Sequence, residues 1–518
     1  MKAVSAQTMR SLDAGTIRSG AVDGFHLMLR AGEAAFREIL RSFPAADKYL
    51  VLAGKGNNGG DGSVVAARLA GSGRHVEMFL TCDPAELSGD ALSAFRLVPD
   101  SVPIHRELAP DVFIPDCLII DALLGTGFSG TPREPAATWI RSINRSGRPV
   151  VSLDLPSGLN ADDGTTPGEA VRADMTVTFE LPKAGLFLEN GPALSGRLRV
   201  PKIGILPALT DAAEEVFRVS GPEDALPFLG REPFDTYKNR RGHVLIAGGS
   251  AEYSGAPFLS GEAALRTGAG LVSIAVPDCA RSDGPLPHAL MIRRFASSDG
   301  YFPSRPADLN HLADLLEKAD AAVFGPGLSA TPAPDPVLAL ALSWKKCLIL
   351  DADALNRISA SPDLRNKLLA RSPGCTVLTP HKGEMARLLS AFGQSASEKS
   401  ELNACLLARL SGAIIVAKGP HSVTASPDGS FTRNLSGCTA LATAGSGDVL
   451  SGMIAALAAS TIVRSGEADL RQAVSAAVYL HGLAGELCSP PPCSGRGIAA
   501  DDLIRMIPMA LRSVSSFA

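Results

Sequence analysis

Two glycine-rich loops, each carrying an acid, set the limits on this chain: Gly54-Lys-Gly-Asn-Asn-Gly-Gly-Asp-Gly62 in its first half and Leu441-Ala-Thr-Ala-Gly-Ser-Gly-Asp-Val-Leu-Ser-Gly452 in its second. Each can open a helix and present backbone N–H groups to an anion beside a carboxylate. One such loop would suggest one enzyme; two point to two catalytic bodies. The length of 518 residues agrees, being too great for one ordinary hydrophobic core and suited to two large or three smaller domains.

The composition narrows the partners. With 46% hydrophobic residues but 5% aromatics and two Trp, the chain favours packing by Ala, Leu, Ile and Val over a platform for stacking bases. A formal net charge of -4 leaves no broad basic surface for a nucleic-acid backbone or an anionic membrane. The basic run Lys238-Asn-Arg-Arg241 is too short to change that. Nine cysteines without CxxC pairs read as a reduced, cytosolic pattern. Cys488 and Cys493, in a Pro-rich loop, are expected as free thiols, with a labile pair or metal binding as the alternative. The first residues lack the apolar run of a secretory signal, so a cytoplasmic location is expected. The apolar segment from Ile454 to Ile462 reads as the core of a buried helix, short of a membrane span.

In the first half a helical pattern from about Asp23 to Leu40 gives way to short apolar strands at Tyr49 to Ala53, His75 to Leu80, Cys117 to Leu123 and Val150 to Leu153, with a helix over Gly62 to Ala70. That alternation predicts a βαβ sheet with functional loops at the strand C-termini. Met175 to Phe179 and Gly196 to Val200 complete the body, and the irregular stretch around Gly221-Pro222 and Pro227 marks the boundary. The second half restarts at His243 to Ala247, followed by Gly248-Gly249-Ser250, a helix over Gly255 to Gly268, and strands at Leu271 to Val276, Ala321 to Phe324, Cys347 to Leu350, Thr376 to Leu378 and Ile414 to Ala417. The domains are therefore expected at residues 1–210 and 233–518, joined by a boundary segment over 211–232.

The sharpest chemistry lies in the second half. Gly445 and Gly447 permit a close backbone turn, the amides around Ser446 to Asp448 form an anion nest, and Asp448 stands where it could take a proton from an attacking hydroxyl. Standing alone, Asp448 could equally be a helix-capping acid. Upstream, Gly325-Pro-Gly-Leu328, Asp351-Ala-Asp-Ala-Leu-Asn356, Thr379-Pro-His-Lys-Gly-Glu384 and Val416-Ala-Lys-Gly419 each fall at a strand end. No Gly-x-x-x-x-Gly-Lys-Ser/Thr loop is present, against an ordinary P-loop nucleotidase. Together with Gly255-Ala256-Pro257 and the helix from Gly261 to Leu271, these segments, over about residues 233 to 510, resemble the ribokinase-like fold and, within it, the ADP- or ATP-dependent dehydratases that repair hydrated NADH and NADPH.

That resemblance implies a nucleotide-donated phosphate on the C6 hydroxyl of the hydrated ring, followed by elimination to NAD(P)H. Asp448 is then the base. Ala256, Gly327, His381 and Asp448 match the family's substrate site; Lys418, Gly419, Pro420, His421, Ser422 and Gly447 match its adenine-nucleotide site. His381 could instead be structural, and Lys382 stands where the family usually has Pro. Glu384 could organise magnesium or water, or be a solvated carboxylate.

In the first half, the amides from Gly54 to Gly62 can cradle a diphosphate, although a tight turn with an Asp cap has the same pattern and the spacing is not Gly-x-Gly-x-x-Gly. Two further strand ends, Asp121-Ala-Leu-Leu-Gly-Thr-Gly-Phe-Ser-Gly130 and Asp154-Leu-Pro-Ser157, carry acids toward the same crevice, and Asn58, Asp121 and Ser157 offer oxygen ligands to a hard cation. With Phe179-Glu-Leu-Pro-Lys183 and Lys202-Ile-Gly204, they resemble the NAD(P)H-hydrate epimerase domain, over about residues 1 to 210. The resemblance implies exchange of the R and S hydrates at C6, with Asn58, Asp121 and Ser157 around potassium. It places substrate on Asn57, Asn58, Gly59, Gly60 and Asp61, on Gly125, Thr126, Gly127, Phe128, Ser129, Gly130 and Thr131, and on Asp154, the preferred acid/base residue. Lys183 either offsets phosphate charge or packs beside its strand.

The expectation is thus an α/β chain: an N-terminal Rossmann-like three-layer domain fused to a C-terminal ribokinase-like three-layer domain. It would be a bifunctional NAD(P)H-hydrate repair enzyme, a cytoplasmic homo-oligomer using K+ in the first site and Mg2+ with ADP, or ATP, in the second. It would have no nucleic-acid or membrane partner. The alternative is a ribokinase-like small-molecule kinase carrying a noncatalytic dinucleotide-binding module.

Overall fold

The computed structural model describes residues 1–230, 232–282, 284–329, 334–465, 470–490 and 495–515. It divides into two compact units at Arg218/Val219.

The N-terminal unit is built on seven strands, parallel throughout, in the order Ile104–His105, His75–Leu80, Lys48–Ala53, Cys117–Ala122, Val150–Leu153, Met175–Val177, Arg197–Arg199. A parallel sheet is covered on both faces, so its central strands must be apolar on both sides. Tyr49, Leu50, Val51, Leu52 and Ala53 are all fully buried, as are Ile119 and Ile120. The chain leaves Lys48–Ala53 toward one edge and returns on its other side at Cys117–Ala122, so a crevice opens between these two strands at their C-terminal ends. Gly54 donates its N–H to Ala122 O at 3.0 Å at the crevice floor.

The C-terminal unit repeats the principle with different topology. Its sheet runs Phe431–Asn434, Val423–Ala425, Ile414–Ala417, Thr376–Leu378, Cys347–Leu350, Ala321–Phe324, His243–Ala247, Leu271–Pro277, Met291–Phe295. The seven strands from Ile414–Ala417 to Met291–Phe295 are parallel, and the two at the other end join antiparallel. The switch point here lies between His243–Ala247 and Ala321–Phe324, where Gly249 donates to Pro326 O at 2.9 Å. The long apolar helices Ser446–Ser465 and Leu470–Cys488 lie nearly buried in this unit.

The strand boundaries read from sequence agree closely with these, as do the helices Gly24–Ser42 and Ala256–Thr267; one helix start does not. The helix expected over Gly62 to Ala70 spans Asn57–Gly71, so the glycine loop is its own first turn. Likewise the apolar segment around Ile454 belongs to a 20-residue helix, Ser446–Ser465, which by length and mean hydropathy of 1.5 would reach across a membrane, yet packs most of its residues inside the protein. The helix Ala6–Arg18, capped by Ser5, and the strands Met291–Phe295, Val423–Ala425 and Phe431–Asn434 escaped the sequence reading. Cys488 and the seven other described cysteines are free thiols; Cys493 lies outside the described residues.

Candidate active sites

In the N-terminal unit a cleft of about 1000 Å³ opens at the switch point. One wall is the first turn of Asn57–Gly71, contributing Asn57, Asn58 and Asp61; the facing wall is Gly125, Thr126, Gly127, Phe128, Ser129 and Thr131. Asp154 and Lys183 also line it. Gly59, Gly60 and Gly130 do not. Gly59 instead lets the helix start lie on the preceding strand end: a Cβ there would stand 1.8 Å from Gly54 O. A side chain would push the whole cradle off the sheet.

Asp121 and Ser157 lie behind the cleft, wholly buried. The Asp121 carboxylate accepts from Ser152 Oγ at 2.7 Å, from Ser157 Oγ at 2.5 Å and from Ser157 N at 2.9 Å. Burial raises its pKa, and these donors oppose the rise. Ser157 Oγ in turn accepts from Leu124 N at 2.8 Å, and Asn58 Nδ2 donates to Leu124 O at 3.0 Å. The three residues are therefore joined through one loop. Asn58 Oδ1 is buried with no hydrogen-bond donor. A buried amide oxygen without a donor is costly, and a cation would satisfy it.

Asp154 sits in left-handed backbone, φ 63°, a conformation tolerated by Asp but strained relative to ordinary strand ends. Its Oδ1 accepts from Lys183 Nζ at 2.5 Å, and Lys183, only 1% exposed, also donates to Thr178 Oγ1 and Phe179 O, each at 3.2 Å. Lys183 thus neither points to solvent nor merely packs; it holds Asp154. Around this pair lie two more carboxyls. Burial, then the negative charge of Asp154 and Asp13, drives Asp61 well above the usual carboxylate range. Burial also raises Asp13 to about 6, with Lys183 opposing and Asp154 and Glu180 adding. Asp13 belongs to no motif; only its place on Ala6–Arg18, against the cleft, reveals it.

In the C-terminal unit the centre is Asp448, in the first turn of Ser446–Ser465. It is not a capping acid: among the described residues no hydrogen bond holds its carboxyl, while its backbone oxygen accepts from Ser260 Oγ at 2.8 Å and Ser451 Oγ at 2.9 Å. Burial, then Asp351, raises its pKa to about 7, with Lys418 pulling it back. Lys418 Nζ bonds Asp351 Oδ1 at 2.8 Å and lies 3.3 Å from where a Cβ on Gly447 would stand. Burial disfavours the Lys418 charge, but Asp351, Glu384 and Asp448 together raise its pKa. Sequence reading gave no role to Asp351, although its motif was visible.

The other expected residues are held by local contacts of their own. Lys418 N donates to Pro380 O at 2.9 Å, which ties the start of the segment from Lys418 to Ser422 to the residue before His381. Gly419 and Ser422 close a turn on each other, Gly419 N to Ser422 Oγ at 3.3 Å and Ser422 Oγ to Gly419 O at 3.0 Å, with Pro420 and His421 between them. Burial lowers His421 to about 4, with its Nδ1 2.8 Å from Asn434 O, so the ring is neutral at physiological pH. Gly327, at φ 65°, brings its Cα so near Tyr253 that a Cβ would stand 2.3 Å from Tyr253 O. Ala256 opens the helix that carries Ser260.

His381 has a structural task. Its Nδ1 accepts from Gly383 N at 3.0 Å, capping Lys382–Ala391, and its own N–H donates to Glu384 Oε2 at 2.9 Å. Glu384 is buried by this capping box, not solvated, and burial raises its pKa. Lys382 instead points outward, 2.9 Å from the exposed Glu398. Among the described residues no three His, Cys, Asp or Glu side chains gather to hold a metal.

A fully parallel unit with its cleft at the switch point, and a second unit whose acid begins a helix opposite a Lys–Asp pair, define a Rossmann-like domain fused to a ribokinase-like domain. The family profile of the NAD(P)H-hydrate dehydratases matches residues 244–509, and that of the YjeF-related protein N-terminus matches residues 24–185. The chain belongs to the bifunctional NAD(P)H-hydrate repair enzymes. It is 36% identical to the enzyme of that name from Moorella thermoacetica, over 99% of this chain and 97% of that one. It is 34% identical to the Coxiella burnetii enzyme over 96% of each, and 34% identical to the Escherichia coli enzyme over 92% of this chain and 88% of that one. Among solved structures, an ADP/ATP-dependent NAD(P)H-hydrate dehydratase from Bacillus subtilis, crystallised with ATP and Mg2+, is 27% identical, covering 58% of this chain and 99% of its own, with a TM-score of 0.46.

Proposed function

We propose that the N-terminal cleft exchanges the R and S hydrates of NADH and NADPH, and that the C-terminal crevice removes the hydroxyl from the S hydrate at the expense of ADP or ATP. The observation that carries the second assignment is the Asp448 carboxyl, unbonded at a helix start with a pKa near 7. A base poised there can take the C6 hydroxyl proton as that oxygen attacks the terminal phosphoryl group. Lys418 and the amide of Gly447 face the charge that develops, and Asp351 holds the lysine in place. The C6–O bond then breaks with phosphate as leaving group, and loss of a C5 proton restores the double bond. Ala256, Gly327 and His381 are assigned to the dinucleotide, and Gly419, Pro420, His421 and Ser422 to the adenine nucleotide.

In the first site, Asp154 acts as acid/base, held by Lys183, with the amides from Asn57 to Asp61 and the wall from Gly125 to Thr131 on the substrate. The orphaned Asn58 Oδ1 fits potassium, with Ser157 and the buried Asp121 behind it. Potassium there would offset substrate phosphate charge and brace the Leu124 loop. Magnesium is assigned to the phosphates of ADP or ATP, its ordinary mode of entry to such sites. A cytoplasmic homo-oligomer is the proposed state.

Separated R and S hydrates distinguish these roles. Without nucleotide, each isomer should relax to the mixture. With ADP or ATP and Mg2+, the S isomer should give NAD(P)H, phosphate and spent nucleotide in equal amounts. Release of a stable phosphorylated hydrate would instead identify a kinase. Asn58→Ala should raise the potassium concentration for half-maximal epimerisation at least tenfold; an unchanged potassium curve would remove Asn58 from the cation site.

A further inference from the structure

The carboxyls of the N-terminal cleft are held very differently. Asp121 is wrapped by donors from Ser152, Ser157 and Leu123, as a structural buried carboxylate should be. Asp154 is anchored by Lys183. Asp13 lines the cleft, partly buried, yet among the described residues no hydrogen bond or ion pair holds it. Folding placed it among the carboxyls of Asp61, Asp154 and Glu180, with Lys183 as the opposing cation, in a cleft that Arg10, Lys55 and Arg133 also line. Nothing in the packing of Ala6–Arg18 requires an acid there; the helix buries Ala6, Met9, Leu12 and Thr16.

Inverting C6 requires more than one proton movement. In ring opening, one base takes the proton of the C6 hydroxyl, whose O–H electron pair becomes the C6=O bond. The C6–N1 bond breaks with its pair left on N1, which takes a proton from an acid. After rotation of the freed aldehyde, N1 attacks the opposite face, gives its proton back, and the oxygen is reprotonated. The step needs one carboxylate and one carboxylic acid, and both return to their starting forms with no other reactant.

We propose that Asp13 is the second acid/base group of this cleft, passing a proton to and from the substrate in concert with Asp154; the proposal rests on the assignment of epimerisation to the cleft. Its raised pKa, about 6, is the range in which a carboxyl both gives and accepts protons near neutrality. Asp61 is buried more deeply, and burial drives its pKa well above the usual carboxylate range.

The test uses the full chain without nucleotide, with saturating potassium, following exchange of pure R hydrate from pH 5 to 8 above the spontaneous rate. Asp13→Asn should lower kcat about 100-fold, in line with a general acid/base contribution. It should also remove the ionisation near pH 6 from the profile, with less change in KM. Asp13→Glu should recover part of the rate with a displaced limb. An Asp13→Asn enzyme within threefold of the parent, or one that keeps the limb near pH 6, overturns the role of Asp13. If Asp13→Asn lowers the melting temperature, the Asp13→Glu profile decides, an undisplaced limb again overturning the role. Full exchange in Asp154→Asn would instead overturn the underlying assignment of the cleft.

Discussion

Replacing Asp448 by Asn should abolish phosphate-coupled NAD(P)H formation, by about 10³-fold or more, while making the C-terminal unit more stable at pH 8. The loss follows if Asp448 is the base proposed for the attacking hydroxyl. The gain follows from linkage. The folded pKa of Asp448 is raised to about 7 from an unfolded value of 3.8, so the folded state favours the protonated form. Its contribution is fully present below about pH 4 and is lost as pH rises through 7. At pH 8 the ionised group therefore costs on the order of 4 kcal/mol, because each pH unit between the two values is worth about 1.4 kcal/mol. Asn carries no charge to desolvate and avoids much of that cost. Thermal unfolding from pH 4 to 8 checks it: the two proteins should converge at the acid end, with the variant melting several degrees higher at pH 8. An equal melting temperature at pH 8 would mean that Asp448 is not strained by its surroundings.

Lys183→Met is expected to do the opposite in the N-terminal unit, removing both activity and stability. Lys183 is 1% exposed and bonded to Asp154, Thr178 and Phe179. Breaking a buried ion pair from one side leaves the partner charge uncompensated, at a cost of about 3 to 5 kcal/mol. Here the cation also moderates Asp13 and Asp61, so its loss pushes both carboxyls further up. Epimerisation should fall at least 100-fold, and the denaturant midpoint of this unit should drop, less so at pH 5, where more of the carboxyls are protonated. A midpoint unchanged at pH 8 would show that Lys183 is dispensable to the fold.

Strands were legible because their apolar runs are short, largely buried and bounded by turn or polar residues: His75–Leu80, Val150–Leu153, Ala321–Phe324 and Cys347–Leu350 begin and end where the sequence says. Glycine misled at one helix start. Asn57–Gly71 begins five residues before the expected Gly62 because its glycines serve close packing, which outweighs their low helix propensity. Met291–Phe295 was invisible because Arg293 and Arg294 are exposed on it. The acids at strand ends could be found by position alone. Asp13 could not, since its role arises from a helix laid against loops that follow it by more than 40 residues. His381 was assigned to the substrate site by resemblance, and its capping geometry depends on where Lys382–Ala391 starts.

Backbone strain marks the same places. Of the seven described non-glycine residues at positive φ, Asp154, Glu180, Ser329, Ala352 and His421 lie in or next to segments of the two sites, while Asp116 and Glu189 do not. Such conformations persist where surrounding contacts enforce them, as Lys183 does for Asp154 and the Asp353 carboxylate does for Ser329, whose N–H it accepts at 3.0 Å.

The two walls of the N-terminal cleft differ in their freedom to change over evolution. On the cradle side, a methyl group at Gly59, Gly60 or Gly62 would fall 1.8, 2.5 or 2.6 Å from its nearest neighbour, so that wall is frozen by its packing. On the facing side, Gly127 has no neighbour within 4 Å of where a Cβ would stand. A side chain can be added at Gly127 without meeting its surroundings, so that wall is the freer of the two to change. The cradle wall must be inherited intact.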